Sequence, residues 1–267
     1  MLNIEPDDSV NALLRLRGLN DEEFVKSHYV VFATKNGTVK KTSLEAYSRP
    51  RTNGVNAINI VEGDEVVDVR LTNGKNEIIL ANRNGRAVRF DEDSIRTMGR
   101  VSTGVRGMKL DDGDDQVVGM IVVNNAETET VMVVSENGYG KRSQVEDYRK
   151  TNRGGKGVKT FSITEKTGRL VAIKNVTDDN DLMIINKSGI AIRLAVSECR
   201  VMGRATQGVR LINLSKKNDV IASVCKVMST EKEAEVSGDK DDENATPATD
   251  VQATEAPQTE IQTTETE

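Results

Sequence analysis

Between Arg149 and Thr160 the chain reads R-K-T-N-R-G-G-K-G-V-K-T, which sets Arg149, Lys150, Arg153, Lys156 and Lys159 among Gly154, Gly155 and Gly157. Lysine and arginine neutralise phosphate. Glycine lets a backbone take positive φ and come close to a ligand, so a loop of this make-up suits a polyanion. Arginine pairs four residues apart recur as Arg96 and Arg100, Arg149 and Arg153, and Arg200 and Arg204, each ahead of a glycine. A basic residue also stands four places after each turn glycine, at Lys41, Arg89, Arg142 and Arg193, and Lys40 and Lys141 precede two of these. One such charge alone reads as a solvated loop residue. In register, the set reads as a ladder of phosphate contacts on one outer rim. Aromatic residues are 3% of the chain, too few to interleave as stacking platforms for single strands. Duplex contact through phosphates, which positions without reading bases, fits better.

Other chemistries find little support. The runs Asp91-Glu92-Asp93 and Asp111-Asp112-Gly113-Asp114 read as acidic turns between strands rather than a calcium loop. His28, the only histidine, has no Ser or Cys partner pattern and reads as a strand-edge residue. Cys199 and Cys225 lack C-x-x-C spacing and read as reduced thiols. No G-x-x-x-x-G-K-[ST] loop is present to cradle ATP. No run of 18 apolar residues or signal-peptide pattern occurs, so no membrane partner is expected.

The elements that must position these residues come from a repeat. Turn pairs stand at Asn36-Gly37, Asn84-Gly85, Asn137-Gly138 and Ser188-Gly189, with glycines 48, 53 and 51 residues apart. A second glycine followed by valine lies 17 residues on in the first copy (Gly54-Val55). The interval is 19 in the others, at Gly104-Val105, Gly157-Val158 and Gly208-Val209. Short apolar runs precede each turn: residues 30–34, 78–81, 131–134 and 183–185. Such runs closed by Asn-Gly predict hairpins. A fixed period near 50 marks an array of one supersecondary unit.

The predicted fold is therefore all-β, a propeller-like array of about four four-stranded blades with almost no helix. The blade repeats fall at roughly 8–60, 64–111, 115–165 and 169–215, with a closing strand at 220–228. Leu2-Asn3-Ile4 before Asp7-Asp8 matches the way Ile58-Asn59-Ile60 precedes Asp64. The array is thus expected to open on the last strand of a unit and to be N-terminally incomplete. Residues 229–267 carry twelve Asp or Glu against Lys232 and Lys240, a net −10, and read as a disordered acidic tail. Since the whole chain is −5, residues 1–228 stand at +5. The tail reads either as a competitor for the basic rim or as a solubility appendage.

These motifs resemble the C-terminal β-pinwheel domain of the DNA gyrase A protein, with its topoisomerase IV relative. The resemblance rests on K-N-G-T-V-K-K at 35–41, R-x-M-G-R-x-x-T-G-V-R-G at 96–107, N-G-Y-G-K-R at 137–142 and M-G-R-x-T-Q-G-V at 202–209. The family's signature box is Q-R-R-G-G-K-G, and residues 151–157 match it at five of seven positions, lacking the Gln and the first Arg. In the family the full box lies in the first blade, so this copy in the third repeat is expected to be a degenerate equivalent.

The resemblance implies a disc whose basic rim wraps double-stranded DNA and supports ATP-dependent negative supercoiling. The implied protein partners are the remainder of gyrase A together with gyrase B, in the cytoplasm and associated with the nucleoid. ATP and Mg belong to other parts of that assembly, and no cofactor is expected in this chain. The family cleaves DNA with a tyrosine that follows an arginine. Tyr29, Tyr47, Tyr139 and Tyr148 follow His28, Ala46, Gly138 and Asp147, so the chain is expected to be non-catalytic and its tyrosines to be packing residues. Two alternatives stand beside gyrase: the topoisomerase IV domain, which the box-like loop makes less favoured, and a protein-interaction propeller. Zero Trp and a single His leave no WD40 signature for the latter.

Overall fold

A computed structural model describes residues 9–229 except Arg17, Pro50, Thr52, Asp112 and 215–218. The acidic tail beyond Ser229 and the opening strand expected at 2–4 lie outside the described residues. The turn glycines form hairpins as the spacing predicts. Gly37, Gly85, Gly138 and Gly189 all take φ between 79° and 84°. Each donates its amide to the residue three back, for example Gly37 N to Thr34 O at 3.0 Å.

The hairpins are β1 (Tyr29–Thr34) with β2 (Thr38–Ser43), β4 (Glu77–Asn82) with β5 (Arg86–Asp91), β8 (Thr130–Ser135) with β9 (Tyr139–Gln144), and β12 (Asn180–Asn186) with β13 (Ala191–Ala195). After each hairpin the chain returns along its first strand. These long returning strands are β3 (Val66–Thr72), β7 (Val117–Val123), β11 (Leu170–Val176) and β15 (Ile221–Met228). They touch one another in succession, β3 on β7, β7 on β11 and β11 on β15, and so form the inner edges of neighbouring sheets.

The sheets are out of phase with the sequence repeats. Short strands β6 (Val105–Arg106), β10 (Val158–Lys159) and β14 (Val209–Arg210) pair with the hairpin of the preceding unit, not their own. The sheet orders are β3-β1-β2-β6, β10-β5-β4-β7, β11-β8-β9-β14 and β13-β12-β15. The blade limits expected at 64–111, 115–165 and 169–215 are corrected accordingly: residues 66–72 close the first sheet from inside, and 105–106 close it from outside. The crossing depends on the second glycines. Gly104, Gly157 and Gly208 have φ of 112°, 72° and 71° and lie against the preceding sheet's backbone, where a side chain has no room. The fourth sheet has three strands among the described residues rather than four.

The result is an all-β propeller-type stack of four antiparallel sheets. Its core lies between the sheets. On β4, Ile78 and Leu80 pack toward the first sheet with Val31, Val39 and Phe90, while Ile79 and Ala81 pack toward the third with Val131, Val133 and Phe161. Both faces of an inner sheet are buried, so its strands read as continuous apolar runs rather than alternating ones. A third cluster, with Leu182, Ile184 and Val224, joins the last two sheets.

The first sheet's other face, Val30 and Phe32, is covered by the six-residue helix α1 (Glu22–Ser27) and by Leu14 and Leu16. Asp21 caps this helix, accepting the amides of Glu23 and Phe24 at 3.0 and 3.2 Å. His28 ends it with its ring stacked on Phe24 at 4.1 Å, immediately before β1.

Candidate nucleic-acid interface

The basic ladder divides into buried braces and exposed cations. At the fourth position after the turn, Lys41 Nζ donates to Glu92 O at 3.2 Å. Arg89 Nη1 donates to Val145 O and Tyr148 O at 2.8 and 3.1 Å, and Arg142 Nη1 to Val196 O and Cys199 O at 2.9 and 3.3 Å. In each case the carbonyls belong to the one-turn 3-10 segment of the next unit or to the residue that caps its C-terminus.

Carboxylates balance these charges: Glu92 for Lys41, Glu77 for Arg89 and Asp178 for Arg142. The Lys41, Arg89 and Arg142 side chains are no more than 10% exposed. Their expected role as rim contacts is corrected. They tie one blade to the next, because an unpaired carbonyl between sheets would otherwise be left without a donor. Arg193 holds the same register but is exposed, bonded to Asp181 and to the Met228 carbonyl.

Lys40 and Lys141 are buried too, at 0% and 1% exposure. Lys40 Nζ donates to the carbonyls of Ala57 and Arg100, and Lys141 Nζ to Gly203 O at 2.7 Å and Ser143 Oγ at 3.1 Å. Burial pushes Lys40 down to about 8, with Arg100 adding to the effect. Burial pushes Lys141 down to about 7, with Arg204 adding and Asp147 opposing. They anchor rim loops from within and present no charge to a ligand, which corrects the expectation for both.

The outer edge carries the accessible charge. Arg96, Arg149 and Arg200 are exposed at equivalent places, each one residue before a parallel bridge to the braced position of the preceding hairpin (Thr97 to Lys41, Lys150 to Arg89, Val201 to Arg142). Arg100, Arg153 and Arg204 are half-buried. Arg153 donates through Nε to Ser94 O and through Nη1 to Arg106 O, both at 2.9 Å. Arg204 Nη1 repeats the second bond, to Lys159 O at 2.6 Å. A guanidinium has five N–H donors, so each keeps donors for a ligand.

Neighbouring loops are zipped by one recurrent bond: Asn59 N to Ser102 O, Lys109 N to Gly155 O and Ser162 N to Thr206 O, at 3.2, 2.9 and 3.1 Å. The box-like loop frames a cleft of about 460 Å³ lined by Arg89, Arg149, Arg153 and Lys156, with Gly154, Gly155 and Gly157 on its wall. Lys156 is paired with Asp111 at 2.7 Å. Lys150 sits between Glu77 and Asp91 at 2.7 and 2.8 Å, so its charge is committed internally.

Three cations escaped the sequence reading: Arg106, Lys109 and Arg210. Arg106 and Arg210, with Lys159, are exposed on the outermost strands at one register, opposite Thr38, Tyr139 and Arg86 respectively. The signal was present as G-V-[RK] in the last three repeats, whereas the first copy has Asn56.

Tyr148 is fully buried with its hydroxyl 2.5 Å from Thr160 Oγ1, and burial raises it to about 12, as suits a packing residue. Among the described residues no His, Cys, Asp and Glu group could hold a metal ion, and no helix is long and apolar enough to cross a membrane. The acidic turns instead organise backbone. Asp115 accepts from Asn82 Nδ2 at 2.6 Å and from the amides of Asn84, Asp111 and Gln116.

Comparison with known proteins places this geometry. The family description for the DNA gyrase C-terminal domain, a β-propeller, matches residues 28–73, 76–124, 129–177 and 180–225. The DNA gyrase A protein of Staphylococcus epidermidis is 43% identical over 226 residues, 85% of this chain and 25% of that protein. Its counterpart in Staphylococcus aureus gives the same figures. The chain thus spans about a quarter of the length of the curated relatives it matches.

Among solved structures, the C-terminal domain of DNA topoisomerase IV superposes with TM-score 0.73 at 29% identity, over 82% of this chain and 69% of that one. A DNA gyrase A C-terminal domain also gives 0.73, at 24% identity over 85% and 73%. At that identity the second likeness concerns fold alone.

Proposed function

The chain belongs to the DNA gyrase C-terminal domain family of β-propellers, and from this we propose that it binds duplex DNA along its outer sheet edges and bends it. The observation that carries this reading is the exposed basic residue repeated at one register of three successive outer strands, Arg106, Lys159 and Arg210. Equivalent places in successive blades give cations at regular intervals, which is what a curved phosphate backbone requires. Bending a 20–30 bp duplex by 40–90° costs on the order of 1–6 kcal/mol, and repeated phosphate neutralisation offsets it without base reading. The absence of aromatic interleaving supports duplex over single strands.

In this reading the chain is the DNA-wrapping part of a gyrase A protein in the cytoplasm, near the nucleoid. The rest of gyrase A, together with gyrase B, supplies the strand-passage chemistry with ATP and Mg. The wrapped segment feeds a neighbouring duplex to the gate and biases the product toward negative supercoils. The 43% identity to gyrase A proteins favours gyrase over topoisomerase IV.

The test is topological. Nicked plasmid is sealed by ligase with increasing amounts of the chain, and the linking number is read after protein removal. A progressive shift in linking number is expected. An unchanged distribution at saturating protein overturns wrapping.

A further inference from the structure

Arg100, Arg153 and Arg204 sit on equivalent rim loops, but the residue beneath each loop differs. That residue is the third after the preceding turn glycine: Lys40, Val88 and Lys141. All three are buried, at 0%, 1% and 1% exposure. Lys40 Nζ donates to the carbonyl of Arg100 itself and to that of Ala57. Lys141 Nζ donates to the carbonyl of Gly203, the residue before Arg204, at 2.7 Å. Val88 has no donor to offer, and its loop is held by Arg153 instead, through the bonds to Ser94 O and Arg106 O.

An ammonium buried against carbonyls has given up its water and feels the guanidinium that the same loop presents. Like charges in so dry a setting oppose each other. Burial pushes Lys40 down to about 8 and Lys141 to about 7, and the charges of Arg100 and Arg204 respectively add to this. The other groups facing Lys40 are the Phe32 ring, at 5.3 Å, and the Tyr47 hydroxyl, which donates to the shared Ala57 carbonyl at 2.9 Å. Lys141 faces Ser143 Oγ at 3.1 Å, and beyond it the buried Tyr148. Asp147 also acts on Lys141, and its charge favours the ammonium. A phosphate on Arg204 or Arg100 cancels part of the guanidinium's field and brings a negative charge of its own. Both changes favour the ammonium beneath.

We propose that Lys40 and Lys141 are positioning residues that couple duplex binding to proton uptake. Each takes up a proton as its arginine engages phosphate, and the ammonium then fixes the loop carbonyl under that arginine. The inference rests on the duplex reading of the rim. Neither lysine touches the ligand; each acts through Arg100 or Arg204. The box-like loop stands outside the coupling, because Val88 has no proton to gain. The sign follows from the burial. Below pH 6 both lysines are charged with or without DNA, so affinity stops responding to pH. Through 7 and 8 the free chain sheds these protons first, the bound chain keeps them, and affinity falls as pH rises.

The experiment is titration calorimetry of the full chain with a duplex of about 30 bp. It is run at pH 6, 7.5 and 9 and fixed ionic strength, in paired buffers of different ionisation enthalpy. The difference in heat within a pair counts the protons taken up. The wild type is expected to take up a fraction of a proton per lysine at pH 7.5 and almost none at pH 6. Its affinity is expected to fall by at most about tenfold per pH unit for each proton bound. Lys40→Met/Lys141→Met is expected to bind more weakly at pH 6 and to lose the uptake. Lys40→Arg/Lys141→Arg, charged at every pH used, is expected to restore binding without restoring uptake. A merely structural role would lower stability and leave the proton count alone. The wild-type count decides the matter by itself where a variant does not fold. A wild type that binds at pH 7.5 with no proton uptake overturns this inference and leaves the duplex reading standing. So does a Lys40→Met/Lys141→Met variant that keeps the full uptake. A chain that binds no duplex at any of these pH values overturns the duplex reading, and this inference with it.

Discussion

Gly157 crosses Ala87 so closely that a Cβ placed on it would lie 2.2 Å from the Ala87 carbonyl oxygen. The outer strand Val158–Lys159 reaches the preceding sheet only through this contact, and with it Lys159 reaches the outer edge.

Gly157→Ala is therefore expected to destabilise the fold in two ways. The left-handed backbone costs an alanine about 1–2 kcal/mol. Displacing the Ala87 backbone adds an overpacking cost of about 1–3 kcal/mol. Gly113→Ala, with φ 95° and nothing within 4 Å, carries the first cost alone. Urea unfolding of both variants separates the terms, and equal losses would contradict the crossing.

Arg142 and Arg149 stand seven residues apart in sequence and are expected to respond in opposite ways. Arg142→Met removes donors from Val196 O and Cys199 O and leaves Asp178 unpaired, so stability is expected to fall by about 3 kcal/mol. Duplex affinity, measured where the variant is folded, stays unchanged. Arg149→Ala is expected to leave stability within about 0.5 kcal/mol and to weaken duplex binding. If Arg142→Met weakened binding with stability intact, the brace assignment would be wrong.

Lys141 gives the fold a pH dependence with a definite sign. Burial holds its folded value near 7, against an ordinary 10.5. Below 7 both states are protonated and the cost of the buried ammonium is fully present. Above 7 the folded state sheds its proton first, the unfolded chain binds more protons, and stability rises with pH. Lys40 joins from about 8. Tyr148, raised to about 12, acts the other way above 10, where stability falls as pH rises. Between pH 7 and 10 the rise in unfolding free energy is expected to be shallower in Lys141→Met than in the wild type. Parallel profiles would show that Lys141 is not buried as an ammonium.

Much of the architecture was legible because repetition multiplies weak signals. Asn36-Gly37 alone is one turn candidate, but four such pairs near a period of 50, each after an apolar run, specify hairpins and an all-β array. Sheet membership was not legible. Nothing in Gly104-Val105 says that the strand it opens pairs with a hairpin 66 to 68 residues earlier, because the crossing is a tertiary event with no local pattern.

The site was read in part. Arg96, Arg149 and Arg200 are exposed as expected. Lys41, Arg89 and Arg142 share their composition but are held inward by the carbonyls of the next blade. A basic residue inside a strand serves those carbonyls, whereas the same residue on the edge strand faces water. Arg106 and Arg210 were missed because one basic residue after Gly-Val carries no weight until the edge strand is known.

The most direct test of the account is duplex affinity over a salt series for the wild type and for Arg106→Ala/Lys159→Ala/Arg210→Ala. Each lost phosphate contact flattens the slope of log affinity against log salt by about 0.9, so the triple variant is expected to lose roughly 2.7 from the slope. The loss is expected to be uniform across DNA sequences, with stability intact. A triple variant that keeps the wild-type slope and affinity would contradict the claim that duplex DNA follows these outer strands.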